Sequence, residues 1–305
     1  MRIGIDLGGT KIEAITLEED GRIHARQRVA APQGDYQKTV QTIAGLVRDI
    51  EKGVGGSARG VTTPVGVGIP GAISPATGLI KNANSTWLIG HPLDQDLAAA
   101  LDRPVKLAND ANCFALSEAV DGAGQGAAVV FGVILGTGVG GGVVVNGNIL
   151  SGPNAITGEW GHNPLPWHFT DEYPGVECYC GKQGCIETFL CGSSLARILD
   201  NGLNAEEITA QANAGDPAAT QAIDQYANRL ARALASVINI LDPNVIVLGG
   251  GLSNIGYLYE AVPDLWQQWV FSDQADTKLV PNQHGDSSGV RGAAWLWYDD
   301  NTEQK

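Results

Sequence analysis

The sequence predicts an α/β protein built as two lobes with a cleft between them. Strand-like and helix-like segments alternate along the 305 residues, which is typical of sheets covered by helices. Residues 3–23 (IGIDLGGTKIEAITLEEDGRI) and 131–149 (FGVILGTGVGGGVVVNGNI) share one pattern of apolar strand, glycine turn and second apolar strand. Because each half of the chain opens with this repeat, we predict an ancient duplication that placed the same hairpin in each lobe.

The first half alternates strands and helices. Apolar residues recur at helical spacing in residues 36–52, and a short helix follows further on with Asp94 as its expected N-cap. The predicted elements are three strands within 1–29, a helix over 36–52, a buried strand over 64–70, a helix from Asp94 to Leu101, a strand over Val105–Ala108 and a helix from Ala111 to about Val120.

The second half begins near residue 126 and repeats the alternation after a long insertion. The predicted elements are the second hairpin, a loop-rich insertion over 151–187, helices at about 193–200, 205–213 and 217–241, a strand over Val245–Leu248 and a final helix over about 288–298. The predicted lobes cover 1–117 plus 290–305 and 118–289.

Composition narrows the function class. The apolar content of 44% fits a globular protein, and the net charge of −14 argues against nucleic acid as a partner, since a polyanion needs a basic face. No apolar stretch reaches the roughly 20 residues of a membrane span, and no signal peptide is recognisable. We therefore expect a cytoplasmic protein without a membrane partner, whose five cysteines do not form a disulfide framework.

The first glycine turn differs from its repeat at one position. Asp6 stands two residues before Gly8, whereas Ile134 stands at the same place before Gly136. The turn geometry therefore does not require a carboxylate. Glycine turns let backbone N–H groups approach an anion, and a carboxylate beside phosphates requires Mg²⁺ between them. We interpret the two turns as opposed phosphate-binding sites and Asp6 as a residue on the metal side; a plain hairpin with a polar edge is the alternative for either copy alone.

Two common phosphate-binding motifs are absent from the first turn. It is not a Walker loop, because GxxxxGK[ST] is missing and residues 12–17 (IEAITL) read as a strand rather than a helix. It is not a dinucleotide fingerprint either, because no helix opens at the glycines.

One histidine and three cysteines suit a tetrahedral zinc ion, although their spacing (H-x15-C-x-C-x4-C) is not that of a standard finger. The candidate ligands are His162, Cys178, Cys180 and Cys185. Four protein ligands leave no place for a catalytic water, so we predict a structural site in a loop at about 158–187. Unrelated reduced cysteines are the alternative.

Two carboxylates beside this cluster are candidates for sugar recognition. Glu159 precedes His162 by three residues, and a carboxylate with an imidazole matches the acceptors and donors of sugar hydroxyls. A metal on one ring nitrogen would hold the other nitrogen as a donor. Glu187 follows Cys185 by two residues. Solvated loop charge is the alternative for both glutamates.

Asp110 is the candidate general base. It follows a predicted strand, and ligands of α/β sheets lie beyond the carboxyl ends of the strands. Phosphoryl transfer to an alcohol requires an acceptor for the hydroxyl proton. Asn109 could orient the same substrate, and capping of the helix from Ala111 is the alternative role for Asp110.

The glycines at 249–251 either let a flat nucleotide lie against the backbone or permit close packing of a helix on the strand.

Taken together, these motifs resemble the ROK family of sugar kinases. They span almost the whole chain in the family's order: DLGGTK at 6–11, GIPG at 68–71, NDAN at 109–112, LGTGVGGG at 135–142, GEWGH at 158–162, CYCGKQGCIE at 178–187 and VLGGG at 247–251. The resemblance implies the two-lobed actin-like ATPase (ribonuclease H-like) fold with a zinc-binding loop insertion, ATP-dependent phosphorylation of a hexose with Mg²⁺, and a homodimer.

The resemblance also implies a role for each matching residue. Asp110 would be the base and would contact the sugar, and the four candidate ligands would bind zinc. The other sugar ligands would be Gly71, Asn84, Asn109, Glu159, His162 and Glu187; the nucleotide and its Mg²⁺ would be held by Asp6, Gly8, Gly9, Thr10, Lys11, Gly136, Thr137, Gly138, Gly249, Gly250 and Gly251.

Within the family, the sequences of three motifs are similar to those of bacterial fructokinases. These are KNANSTW at 81–87, GEWGHNPLPW at 158–167 and HGDSSGVRGAAWLW at 284–297. They favour fructose as the acceptor, phosphorylated at O6. The alternatives are glucose, mannose or an N-acetylated amino sugar, because discrimination between such sugars depends on loop geometry. A sugar-sensing transcription repressor is a remote alternative. Such a repressor carries a helix-turn-helix ahead of the first strand, whereas here Met1 leads directly into that strand and the chain is acidic.

Overall fold

The computed structural model describes residues 1–53 and 63–298. Its elements in chain order are β1 (Arg2–Leu7), β2 (Lys11–Leu17), β3 (Ile23–Ala30), α1 (Tyr36–Gly53), β4 (Val65–Ile69), β5 (Ala72–Ile73), β6 (Ile80–Lys81), α2 (Leu93–Leu101), β7 (Val105–Asn109), α3 (Asp110–Asp121), β8 (Val129–Leu135), β9 (Val139–Val145), β10 (Asn148–Ile149), α4 (Ile186–Leu190), α5 (Gly192–Leu199), α6 (Ala205–Asn213), α7 (Pro217–Leu241), β11 (Val245–Gly249), α8 (Leu258–Trp266), β12 (Lys278–Pro281) and α9 (Ser288–Trp295).

Two five-stranded mixed sheets share one topology. The first has the order β3-β2-β1-β4-β7 and the second has the order β10-β9-β8-β11-β12. In both, the glycine hairpin is antiparallel and the strands beyond it are parallel. The repeat seen in the sequence therefore corresponds to equivalent hairpins at equivalent positions of the two sheets.

Helices α3 and α9 lie between the sheets. Helix α9 packs on β1 and β4 of the first sheet, and α3 packs on β8 and β9 of the second. The two helices also cross each other closely, because a Cβ at Gly292 would lie 1.7 Å from the carbonyl oxygen of Cys113. Only glycine fits at this crossing. The crossing fixes the N-terminus of α3, where Asp110 stands, relative to both sheets.

Separate cores cover the outer faces of the sheets. Helices α1 and α2 bury aliphatic residues against the first sheet, including Val40, Ile43 and Val47 on the predicted face of α1. The second sheet buries a larger core under α7 and α8, in which Tyr226 and Trp266 have no exposed surface. None of the helices within the described residues has both the length and the apolar character that a membrane span requires.

Most predicted elements are present, and the structure adds strands β5 and β6 and helix α4, which were not predicted. Three further differences concern α2, α8 and β12. Helix α2 begins at Leu93 with Pro92 at its N-cap, so the prediction that Asp94 caps it is wrong. Helix α8 and strand β12 were not predicted: Pro263 interrupts the helical pattern of the first, and the second has only four residues. The division into two lobes at residue 117 stays a prediction. Residues 54–62 and 299–305, which belong to the first predicted lobe, lie outside the described residues.

Candidate active site

A cleft of about 990 Å³ opens beside the first glycine turn. Its walls come from both sheets and from the loops around them. The lining residues include Asp6, Gly8, Gly9, Thr10, Gln33, Asn84, Ser85, Trp87, Asp110, Phe114, Ile134, Gly250, Gly251, Ser253, Asn254 and the segment 281–286. Both Asp6 and Asp110 therefore face one space, as the sequence predicts for a phosphoryl-transfer site.

The first turn presents backbone to this cleft. The amide of Gly8 donates to the carbonyl oxygen of Lys11 at 3.0 Å, which closes the hairpin. The side chain of Gln33 donates to the carbonyl oxygen of Gly9 at 2.8 Å and fixes the turn from outside. Gly9 and Thr10 are exposed. Lys11 is also exposed but starts β2 and does not line the cleft, so a phosphate contact from Lys11 stays a prediction.

The cleft is acidic, which bears on the predicted Mg²⁺. Among its described lining residues three are aspartates (Asp6, Asp110 and Asp286) and none is Lys or Arg. Burial, followed by the charges of Asp110 and Glu13, raises the pKa of Asp6 to about 6. A nucleotide polyphosphate would be repelled by these carboxylates unless a divalent cation neutralised part of the charge. The donor set therefore fits Mg²⁺ bound with a nucleotide.

The second glycine turn is placed differently from the first. Ile134 lines the cleft, but the predicted phosphate residues Gly136, Thr137 and Gly138 are not among the lining residues. Instead, the amide of Gly192 donates to the carbonyl oxygen of Gly136 at 2.7 Å. The predicted phosphate contacts of Gly136, Thr137 and Gly138 therefore stay a prediction.

The three glycines after β11 have three different surroundings. A Cβ at Gly249 would lie 2.5 Å from the ring of Phe114 on α3, so close helix–strand packing explains this glycine. Gly250 has a φ of +81° and would clash with the carbonyl oxygen of Leu135, while Gly251 faces open space. Gly250 and Gly251 line the cleft and Gly249 does not. The predicted contact with the nucleotide stays a prediction for these glycines, and Gly250 and Gly251 are the two that face the cleft.

Asp110 is the first residue of α3, and Asn109 is its N-cap. The Asn109 side chain accepts a hydrogen bond from the amide of Ala111 at 2.9 Å, and Asp110 Oδ1 accepts from the same amide at 2.8 Å. Burial raises the pKa of Asp110, the hydrogen bond from Ala111 opposes this, and the charge of Glu159 adds to it. A half-buried carboxylate with a raised pKa at the wall of a cleft has the properties of a general base.

The predicted sugar residues are divided between two cavities. Asn84 and Asp110 line the large cleft, whereas Asn109 and Glu159 line a neighbouring cavity of about 360 Å³. The side chain of Asn109 donates to the carbonyl oxygen of Gly71 at 3.3 Å, which links that glycine to the start of α3. Gly71 itself lines neither cavity.

The four candidate zinc ligands converge. Their donor atoms all lie within 4.8 Å of one another. His162 Nδ1 lies 3.6 Å from Cys178 Sγ, and Cys180 Sγ lies 3.6 Å from Cys185 Sγ. Ligands around a tetrahedral zinc with bonds of about 2.3 Å to sulfur are separated by roughly 3.8 Å. The spacing and the thiolate–imidazole chemistry therefore fit zinc at this cluster.

The other nitrogen of His162 points away from the cluster. Its Nε2 lies 3.0 Å from the hydroxyl oxygen of Tyr179 and 3.9 Å from a carboxylate oxygen of Glu159. Glu187 Oε2 accepts a hydrogen bond from the amide of Val139 at 3.0 Å, beside the second glycine turn. Two predicted sugar residues therefore lie beside the cysteine cluster. Glu159 is close to the ring of His162, and Glu187 is bonded to the first residue of β9.

Several lining residues were not predicted from the sequence. Gln33 has no distinctive local signal, whereas Ser85 and Trp87 belong to the motif KNANSTW at 81–87, from which no role for either residue followed. The segment 281–286 also carries a signal, because it overlaps HGDSSG within a motif that supports the resemblance, but no role followed from the motif alone. Tyr179 could have been singled out as the residue between two candidate ligands.

The repeated sheet topology and the acidic cleft beside a glycine turn define a phosphotransferase of the actin-like α/β architecture. The ROK family model matches residues 2–300, and the chain belongs to the ROK family as a sugar kinase. An N-acetyl-D-glucosamine kinase from Vibrio cholerae is 41% identical over 97% of this chain and 99% of its own length, and one from Yersinia pseudotuberculosis is 39% identical over 97% and 98%.

Solved structures agree with this assignment. A ROK hexokinase from Thermus thermophilus superposes with a TM-score of 0.84 at 30% identity, covering 99% of each chain. A ROK glucokinase from Streptomyces griseus, solved with glucose and AMPPNP, gives a TM-score of 0.74 at 28% identity over 97% of this chain and 98% of its own. A sugar and ATP are therefore the small-molecule substrates that fit the site. These curated relatives at about 40% identity are N-acetyl-D-glucosamine kinases, so they do not support the prediction that the acceptor is fructose.

Proposed function

We propose that this chain is an ATP-dependent kinase of N-acetyl-D-glucosamine that phosphorylates the O6 hydroxyl. The observation that carries the proposal is the 38–41% identity, over 97% of the chain, to relatives that bear that activity in their names. Fructose, which three motifs favour, is the second candidate. Epimers and N-acetylated analogues differ by one substituent, so the acceptor depends on contacts that similar motifs can share.

In the proposed reaction Asp110 accepts the proton of the attacking hydroxyl. Its half-buried position and its place at the wall of the cleft support this role. Asn84 on the cleft wall, with Asn109 and Glu159 on the adjoining cavity, would hold the sugar hydroxyls. The carboxylate of Asp110 would thereby reach the acceptor oxygen from the N-terminus of a helix that is fixed between the two sheets.

The nucleotide would lie along the large cleft. Backbone amides of the first turn and of 250–251 would face its phosphates and nucleoside, and Asp6 would hold Mg²⁺. Bound Mg²⁺ would neutralise negative charge on the phosphates while the γ-phosphoryl group is transferred. Closure of the walls would exclude water and limit idle hydrolysis of ATP.

We further propose a structural zinc ion at His162, Cys178, Cys180 and Cys185. The convergence of four protein donors, which is the full number of ligands of a tetrahedral zinc ion, supports a closed site. Zinc on Nδ1 would fix the His162 ring, so that Nε2 stays a donor toward the acceptor side.

A coupled ATP assay over a panel of hexoses tests the acceptor. N-acetyl-D-glucosamine, N-acetyl-D-mannosamine, fructose, glucose and mannose would be compared by kcat/KM. We expect N-acetyl-D-glucosamine to lead by more than about 10-fold. A lead for fructose would support the second candidate, and no turnover of any sugar would refute the kinase assignment of this site.

A further inference from the structure

The strongest feature outside the assigned roles is a buried carboxylate on the third turn of α3. Glu118 has no exposed surface. None of the ion pairs found among residues 1–53 and 63–298 includes it. Burying an unpaired carboxylate is costly unless hydrogen bonds satisfy it. The hydrogen bonds to this side chain therefore indicate what it is for.

Four neutral donors converge on the Glu118 carboxylate. Oε2 accepts from the amides of Ala123 at 2.9 Å and Gln283 at 3.0 Å. Oε1 accepts from the Ser288 hydroxyl at 2.8 Å and, more weakly, from the amide of His284 at 3.4 Å. A Cβ at Gly122 would lie 2.4 Å from Oε2, so the adjacent glycine leaves room for the carboxylate. Two of the four donors, Gln283 and His284, belong to the segment between β12 and α9, and a third, Ser288, is the first residue of α9.

That segment is a wall of the large cleft. Asn282, Gln283, Gly285 and Asp286 line it, on the side where Gly250–Asn254 also lie. The side chain of Asn282 donates to the carbonyl oxygen of Leu248 at 3.0 Å, which ties the segment to the end of β11. Backbone groups of a loop that lines a cleft keep their positions only if something fixed holds them. Glu118 supplies that support from within α3.

The same helix carries Asp110. Eight residues separate Asp110 from Glu118, which at helical rise is about 12 Å along one rigid element. One end of α3 therefore faces the acceptor, and its later turn holds the wall that faces the nucleotide. We infer that Glu118 is a positioning residue that sets the nucleotide-facing wall of the cleft relative to Asp110. This inference rests on the proposed placement of ATP in the cleft.

The test is Glu118→Gln in the full chain. An amide cannot accept from all four donors, because its NH2 group would face N–H groups that have lost their acceptor. We expect the Kd of ATP, measured by calorimetry, and the KM for ATP to rise about 10-fold, with sugar affinity within about 2-fold of wild type. Ser288→Ala, which removes one donor and keeps the carboxylate, should raise the KM for ATP about 3-fold.

Two further variants separate the outcomes. Glu172→Gln removes another buried carboxylate, remote from the cleft wall, and should lower stability without a selective loss of ATP. Gly251→Phe places a ring in the cleft at a position where a Cβ meets no atom within 4 Å, and should abolish ATP binding.

Each result has one meaning. Unchanged ATP affinity in Gly251→Phe would refute the placement of ATP in the cleft, and the proposed site with it. Loss of ATP in Gly251→Phe with wild-type ATP affinity in Glu118→Gln would overturn this inference alone. Equal loss of ATP and sugar in Glu118→Gln would also overturn it, as expected of a merely structural role. If Glu118→Gln does not fold, unchanged ATP kinetics in Ser288→Ala would overturn it.

Discussion

At the residue scale, Asp110 combines burial with access to the cleft. Its raised pKa strengthens it as a proton acceptor, while the N-terminus of α3 keeps its position. We expect Asp110→Asn to lower kcat about 10²- to 10⁴-fold, because the amide cannot accept the hydroxyl proton. Sugar affinity, measured by calorimetry, should stay within a few-fold. Near-normal kcat in this variant would remove Asp110 from the mechanism.

Asp6 carries an electrostatic cost that a bound cation would offset. Its pKa of about 6 lies above the ordinary value of 3.8, so the folded state disfavours the ionised form. The stability associated with the protonated form is lost as pH rises through about 6.

We therefore expect Asp6→Asn to raise the free energy of unfolding of the metal-free protein by up to about 3 kcal/mol at pH 8. The gain should be much smaller near pH 4, where wild-type Asp6 is largely protonated. Activity should fall at least about 100-fold, because the carboxylate proposed to hold Mg²⁺ is lost. Urea denaturation at both pH values and a coupled assay measure the two effects. A variant that is less stable at pH 8 would contradict the electrostatic argument.

Single residues also show what the sequence could and could not predict. Asp6, Gly8 and Asp110 were found because turn glycines and strand ends have local patterns, and all three line the cleft. Glu118 has no such pattern, because three of its four donors lie more than 160 residues away and are brought to it only by the fold. Gly249 was ambiguous in sequence, since phosphate approach and helix packing both require glycine.

At the scale of elements, the insertion between β10 and α4 is held by a buried charge cluster. Glu172 accepts hydrogen bonds from Arg229 and Arg232 of α7, each at 2.8 Å. Burial alone would raise the pKa of Glu172, but the hydrogen bonds from Arg232 and Arg229 lower it to about 2. Residues 168–176, which have no interpretable sequence pattern, thus contain the anchor of the insertion on the second core.

Replacing this carboxylate by an amide would leave the guanidinium groups of Arg229 and Arg232 without the anion that they both contact. We expect Glu172→Gln to lower the free energy of unfolding by about 3 kcal/mol at pH 7. In the wild type this stabilisation is present above the ordinary pKa of 4.5 and is lost as pH falls toward about 2. The difference between wild type and variant should therefore shrink near pH 3, as measured by urea denaturation. A difference independent of pH would argue against the ionised cluster.

The cysteine loop is a second element in the insertion, and it is the part of the chain for which we propose a bound zinc ion. We expect the purified protein to contain about one zinc per chain and Cys180→Ala to lose it, because three ligands bind zinc much more weakly than four. Cys113→Ala is the matched control, since that cysteine is buried in α3 and belongs to no cluster. Elemental analysis measures both. Full zinc content in Cys180→Ala would contradict the site.

At the scale of the whole molecule, the equivalence of the two sheets explains why the fold was predictable. A repeated hairpin followed by parallel strands specifies the same sheet twice, and hydrophobic periodicity identified the helices that cover it. The relative placement of the sheets was not predictable. It depends on the crossing of α3 and α9, where long-range contacts such as Gly292 on Cys113 decide the geometry.

That placement leaves the predicted site divided. Asp110 and Asn84 line the large cleft, Asn109 and Glu159 line the smaller cavity, and the second glycine turn lines neither. Movement of the walls toward one another would bring these groups together around a single sugar and a single ATP. We propose that the two sheets act as lobes that close around the substrates, with α3 and α9 at the junction.

Closure predicts a change that needs both substrates. Addition of a non-hydrolysable ATP analogue with sugar should lower the radius of gyration in X-ray scattering and slow amide exchange at residues 136–138, because the second turn would then meet the phosphates. ATP analogue alone should protect residues 8–10 and leave 136–138 close to the free state, since the first turn already faces the cleft. If both turns were protected equally by nucleotide alone, with no change in scattering, the second turn would need no closure to reach its ligand and the moving-lobe proposal would fail.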